Sequence, residues 1–203
     1  MTLPPAPAAP RARWAILPAA VTIGVYVIAL WLIEGVDTVM GGDLDGSGIL
    51  PWRLDGAWGI LWAPLLHAGW AHLAANTLPA LVLGFLALAV DYGKGLGATA
   101  IIWLGTGITV WVVGGVGTNH LGASGLVFGW LTYVILRGLF NRRIMQILIG
   151  VVVAVLYGAI LWGVMPGQPG VSWQSHLAGA VFGALAAVWL RERRSDPARP
   201  VRP

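Results

Sequence analysis

Residues 122–140 read GASGLVFGWLTYVILRGLF: a serine framed by glycines, a long apolar run, and one arginine near its end. A run of this length matches the roughly 17 to 25 residues that cross a hydrocarbon core about 30 Å thick. The pattern recurs on both sides, at 15–33, 70–90, 96–116, 144–164 and 175–190, with the central run taken as 124–140. The sequence therefore predicts an all-α polytopic membrane protein of six transmembrane helices. The joins are short: DYGKG (91–95), VGTNHLG (116–122), NRR (141–143) and PGQPGVSW (166–173). One is long, 34–69. It holds five of the eight acids and reads as a folded interfacial loop anchored by Trp52, Trp58, Trp62 and Trp70.

Composition agrees. With 58% hydrophobic and only 10% charged residues and a mean hydropathy of +0.79, the chain departs far from soluble averages. The net charge of +4 does not suggest nucleic acid, because the basic residues lie between apolar runs rather than in a patch interleaved with aromatics. Without cysteine, disulfides, thiolate nucleophiles and cysteine-ligated metals are excluded. The chain divides into a proline-rich basic tail (1–14), a membrane domain (15–190) and a basic tail (191–203).

Eleven of the twelve Lys and Arg residues fall on the side of the termini, with Arg53 alone opposite. By the positive-inside rule both termini are cytoplasmic, and the loops holding Gly122 and Gly170 face outward. Composition and short tails point to a bacterial inner membrane. They leave the oligomeric state open.

Polar groups at membrane depth are costly and mark function. Here they are His72, Asn76, Ser124 and His176. Measured from the cytoplasmic charges at 1.5 Å per residue, Asn76 stands about 22 Å above Asp91, Ser124 about 20 Å above Arg137, and His176 about 22 Å above Arg191. Three helices thus bring polar groups to one level. His72, spaced i, i+4 from Asn76, projects from the same face. A serine hydroxyl needs an adjacent base to become nucleophilic, and the imidazole of His176 is the candidate. Ser124 in a first helical turn also supplies free N–H groups for an oxyanion, which His72 and Asn76 can supplement. No aspartate lies at this depth, so the chemistry available is a dyad. Gly125/Gly129 and Gly179/Gly183 offer small faces on which the two catalytic helices could meet.

In this order the residues resemble the rhomboid family of intramembrane serine proteases. Gly122-Ala123-Ser124-Gly125 is similar to its GxSG motif, His67-x4-His72-x3-Asn76 to its second-helix signature, and His176-Leu177-Ala178-Gly179 to its sixth-helix histidine with glycine at +3. The resemblance implies Ser124 as nucleophile, His176 as base, and an oxyanion hole of His72, Asn76 and the Ser124 N–H. Substrates would be transmembrane segments cleaved near the outer face, in contact with lipid; no cofactor is implied. Two departures stand out. Trp58-Gly59 replaces the Trp-Arg pair often found in the first loop, and Phe128 replaces a tyrosine four residues after the serine, placed to stack on His176.

Other readings are weaker. Asp43-Leu44-Asp45-Gly46-Ser47-Gly48 opens like a calcium loop, but its twelfth position is Leu54. His67 and His72 are five apart and no H-E-x-x-H occurs, which argues against zinc. His67 reads as a hydrogen-bonding residue at the rim, His120 as a wet loop residue, and Pro79 as a kink below Asn76. A catalytically dead relative that escorts membrane helices would have no use for the dyad. A channel or transporter would carry polar groups along a full path.

Overall fold

The computed structural model describes residues 15–192. The tail expected at 1–14 and all but Arg191 and Glu192 of that at 191–203 lie outside the described residues. Described in chain order are α1 (Ile16–Met40), the one-turn α2 (Gly59–Trp62), α3 (Trp70–Ala89), α4 (Tyr92–Val113), α5 (Ser124–Asn141), α6 (Ile144–Tyr157) and α7 (Trp173–Trp189). A 3-10 segment, Gly158–Val164, extends α6. Among the described residues there is no strand, only an isolated antiparallel bridge between Ile49 and His120.

Among the described residues, six long helices overlap the six predicted runs, and four are long and apolar enough to cross a membrane: α1, α3, α4 and Ile144–Val164. They turn Val25, Leu32, Ile108, Val152 and Val155 outward, exposed. An apolar exterior on that scale suits lipid rather than water. The chain is an integral membrane protein. The other two long helices, α5 and α7, carry Ser124 and His176; α7 has only 17 residues, and the 18 of α5 include Arg137 and Asn141.

The reason lies in placement. Helix α5 packs against α3, α4, α6 and α7, and eleven of its residues are buried, among them Leu126, Trp130, Leu131 and Val134. A helix surrounded by protein need not be uniformly apolar. Its closest neighbour is α7. A Cβ on Gly179 would overlap the Gly125 carbonyl, and one on Gly183 the Gly129 carbonyl, so the backbones meet without intervening side chains. Thr132 then donates across the seam to the Ala180 carbonyl at 2.8 Å.

Two details differ from the sequence reading. Helix α1 does not stop before Glu34 but continues to Met40, ending at Gly41 in the left-handed region (φ 84°). Glu34 and Asp37 are both buried there, and Asp37 is accommodated by accepting the Leu44 N–H at 2.7 Å. Arg137, counted with the cytoplasmic charges, is 3% exposed inside the bundle. It donates to the Ala87 carbonyl at 3.1 Å and the Leu86 carbonyl at 2.8 Å, while the Ala15 N–H caps that of Ala89 at 2.7 Å. The last carbonyls of α3 have no helical partner, and Arg137 supplies the charge that their dipole favours.

Candidate active site

A cavity of about 600 Å³ opens between α3, α5 and α7, lined by His72, Asn76, Ser124, Phe128 and His176 among others. The four polar side chains singled out by depth thus share one space. Ser124 is the first residue of α5. The two amides before it are engaged: the Gly122 N–H donates to the Ala63 carbonyl at 2.8 Å, and the Ala123 N–H to His67 Nε2 at 3.4 Å. Gly122 itself takes φ +118°, and a Cβ there would sit 2.8 Å from His72 Cε1. Only glycine meets both demands.

The histidines are held in opposite tautomers by backbone groups. His176 Nδ1 lies 2.9 Å from the Gly163 carbonyl. A carbonyl only accepts, so Nδ1 carries the proton and Nε2 is left as a base. His72 Nδ1 instead accepts the Ala68 N–H at 3.4 Å, which puts the proton on Nε2 and makes it a donor. Asn76 spends one N–H on the His72 carbonyl at 3.0 Å, leaving the second. Among the described residues, Ser124 Oγ makes no hydrogen bond.

Phe128 lies flat on the His176 ring, 4.1 Å between centroids and 11° between planes. Gly163 makes room for this stack, since a Cβ there would fall 2.8 Å from Phe128 Cζ and 3.1 Å from His176 Nδ1. The Gly163 carbonyl had no signal in the sequence, because any residue type supplies a carbonyl. Gly125 and Gly179 act by bringing α5 and α7 together rather than by lining the cavity.

His67 and His120 are both buried. The His67 ring stands 5.1 Å from that of His72 at 69°, and its Nδ1 has no partner. Burial, reinforced by the neighbouring His72, pushes its pKa down to about 4. The reading of His120 as a wet loop residue is corrected: it is 6% exposed because Ile49, Gly114 and Ser172 enclose it with hydrogen bonds.

A serine at a helix start and a histidine from a second helix thus line one cavity of the bundle. Residues 55–193 match the family model described as the Rhomboid domain. The chain belongs to the rhomboid family. It is 33% identical over 135 residues to rhomboid protease GluP of Bacillus subtilis, covering 66% of this chain and 26% of GluP. It is 48% identical over 200 residues to the uncharacterized protein Rv1337 of Mycobacterium tuberculosis (95% of this chain, 81% of the relative). With the uncharacterized protein ML1171 of Mycobacterium leprae the identity is 44% over 200 residues (95% and 77%).

Proposed function

We propose that the protein is a serine endopeptidase that cleaves transmembrane segments of membrane proteins near the outer face of the bilayer, through a dyad of Ser124 and His176. The observation that carries this reading is the 2.9 Å contact of His176 Nδ1 with the Gly163 carbonyl: a carbonyl only accepts, which assigns the proton to Nδ1 and leaves Nε2 as the base of a ring that lines the same cavity as Ser124.

His176 Nε2 takes the Ser124 proton as Oγ attacks the scissile carbonyl carbon. The resulting oxyanion is stabilised by the Ser124 N–H, His72 Nε2–H and the free Asn76 N–H, at the positive end of α5. As the intermediate collapses, the C–N bond breaks and His176 returns the proton to the leaving amine. Water, deprotonated by the same nitrogen, then hydrolyses the acyl-serine. Donation to the Gly163 carbonyl does for His176 what a triad aspartate does for orientation, without its charge.

All six long helices span the membrane in this reading, with both termini in the cytoplasm of a bacterial cell and the cavity facing outward. Helix α5 tolerates its lower hydropathy because protein rather than lipid surrounds it. Replacing Ser124 with Ala should abolish cleavage of a panel of transmembrane substrates in liposomes while the protein stays folded. Activity retained in Ser124→Ala would refute the assignment. Fluorophosphonate labelling of Ser124 separates an enzyme from an inert escort, since it requires an activated hydroxyl.

A further inference from the structure

The loop between α4 and α5 holds a buried histidine that the dyad chemistry does not use. His120 Nε2 lies 3.1 Å from the Gly114 carbonyl and 2.7 Å from Thr118 Oγ1. The carbonyl accepts, so Nε2 carries the proton; the Thr118 hydroxyl directs its own hydrogen to the Gly115 carbonyl at 2.7 Å. Nδ1 is then an acceptor, and the Ser172 hydroxyl, 2.6 Å away, donates to it. Burial lowers the His120 pKa, consistent with this neutral form.

Ser172 is no ordinary loop residue. It is the N-cap of α7, its Oγ accepting the Ser175 N–H at 3.3 Å, and its carbonyl accepts the His176 N–H at 3.1 Å. On the other side, the His120 backbone pairs with Ile49 in both directions, at 2.8 and 3.0 Å. One imidazole therefore joins the segment that leads into Ser124, four residues on, to the helical turn that leads into His176, four residues after Ser172.

We propose that His120 is a positioning residue: through its hydrogen bond with Ser172 it fixes the N-terminus of α7 against the start of α5, and so sets the approach of His176 to Ser124. The inference rests on the reading of those two residues as base and nucleophile. A merely structural His120 would lower stability when removed but leave the folded fraction equally reactive. A positioning His120 slows the chemistry of folded protein and does so through Ser172.

The test uses the full chain in liposomes, with His120→Ala, Ser172→Ala, the double variant and His120→Asn, following fluorophosphonate labelling rate, kcat, KM and melting temperature. Each alanine variant should lower kcat and labelling by about fivefold, the equivalent of the roughly 1 kcal/mol net that one such bond contributes, with KM shifting by less than about twofold. The double variant should be no slower than the slower single variant, the signature of groups acting as one unit. His120→Asn should recover part of kcat, because its Oδ1 can accept from Ser172. Additive losses in the double variant overturn the proposal, as does a His120→Ala protein that melts earlier yet labels at the wild-type rate. If wild-type protein does not label, the protease reading itself fails, an outcome distinct from either.

Discussion

Phe128 covers one face of the His176 imidazole in a parallel stack, with 4.1 Å between ring centroids. The contact restricts the ring to one plane, and the Gly163 carbonyl fixes its rotation within that plane. Aromatic stacking contributes about 0.5–1.5 kcal/mol. Phe128→Ala should therefore lower kcat by about threefold to tenfold with KM little changed, whereas Phe128→Tyr, which keeps the ring, should stay near wild type. Equal kcat for the alanine variant and the wild type would show that the stack does not position the base.

The contact of α5 with α7 is a backbone contact, and it should be intolerant in a way that distance from the chemistry would not suggest. Gly179 touches neither Ser124 nor substrate in the proposed mechanism. Yet Gly179→Val must displace the Gly125 carbonyl, at a cost of about 1–3 kcal/mol or more for overpacking. The expected result is a folded or weakly folded protein that no longer labels at Ser124. Gly158→Ala is the matched control, since a Cβ there meets nothing within 4 Å; it should label normally.

Arg137 makes a prediction about stability rather than activity. Its two hydrogen bonds satisfy carbonyls at the end of α3, and its guanidinium lies 5.4 Å from the Tyr133 ring centroid. Removing the side chain leaves buried carbonyls unpaired, at about 1–3 kcal/mol for each group. Arg137→Ala should lower the melting temperature in detergent clearly, and Arg137→Lys should restore only part of it, because an ammonium lacks the planar fork that reaches two carbonyls. Identical melting of the lysine variant and the wild type would argue against the two-carbonyl role.

Acid should weaken the fold through His67. Its folded-state pKa of about 4 lies below the ordinary value near 6.5, so the unfolded chain binds a proton that the folded protein refuses. The contribution is complete above about pH 6.5 and is lost as the pH falls toward 4, amounting to on the order of 3 kcal/mol. Melting temperature should decline across that window, and His67→Gln should flatten the decline. Under the proposed mechanism, protonation of His176 would block cleavage separately, in protein that is still folded and reversibly on returning to neutral pH.

The helices were legible because lipid-facing runs must be apolar, and the extents of α3 and α5 follow their apolar runs closely. The end of α1 was not legible: Glu34 and Asp37 look like a boundary, and only the fold reveals the Leu44 N–H that Asp37 receives. Arg137 misled for a related reason, since an arginine near a helix end usually snorkels to water, and its carbonyl partners lie fifty residues earlier in the chain. The common level of Asn76, Ser124 and His176, with His72 one turn above, was readable from helical rise, and the four side chains line one cavity. What surrounds them was not. His120 reaches Ser172 across 52 residues, and no local pattern announces a contact of that separation.

The group that orients His176 is a peptide carbonyl, and this bears on how the site would look to genetics. A scan that swaps side chains one at a time cannot delete the Gly163 oxygen. It can only crowd it, and the resulting loss would be read as a steric defect of a remote turn. Selection likewise sees no residue type at that oxygen, only a need for smallness and for a chain path. The carbonyl would thus be misread in a side-chain map, and replacing the Gly163–Val164 amide by an ester, which weakens the carbonyl as an acceptor and also removes the Val164 N–H, is the kind of chemistry that would make it speak.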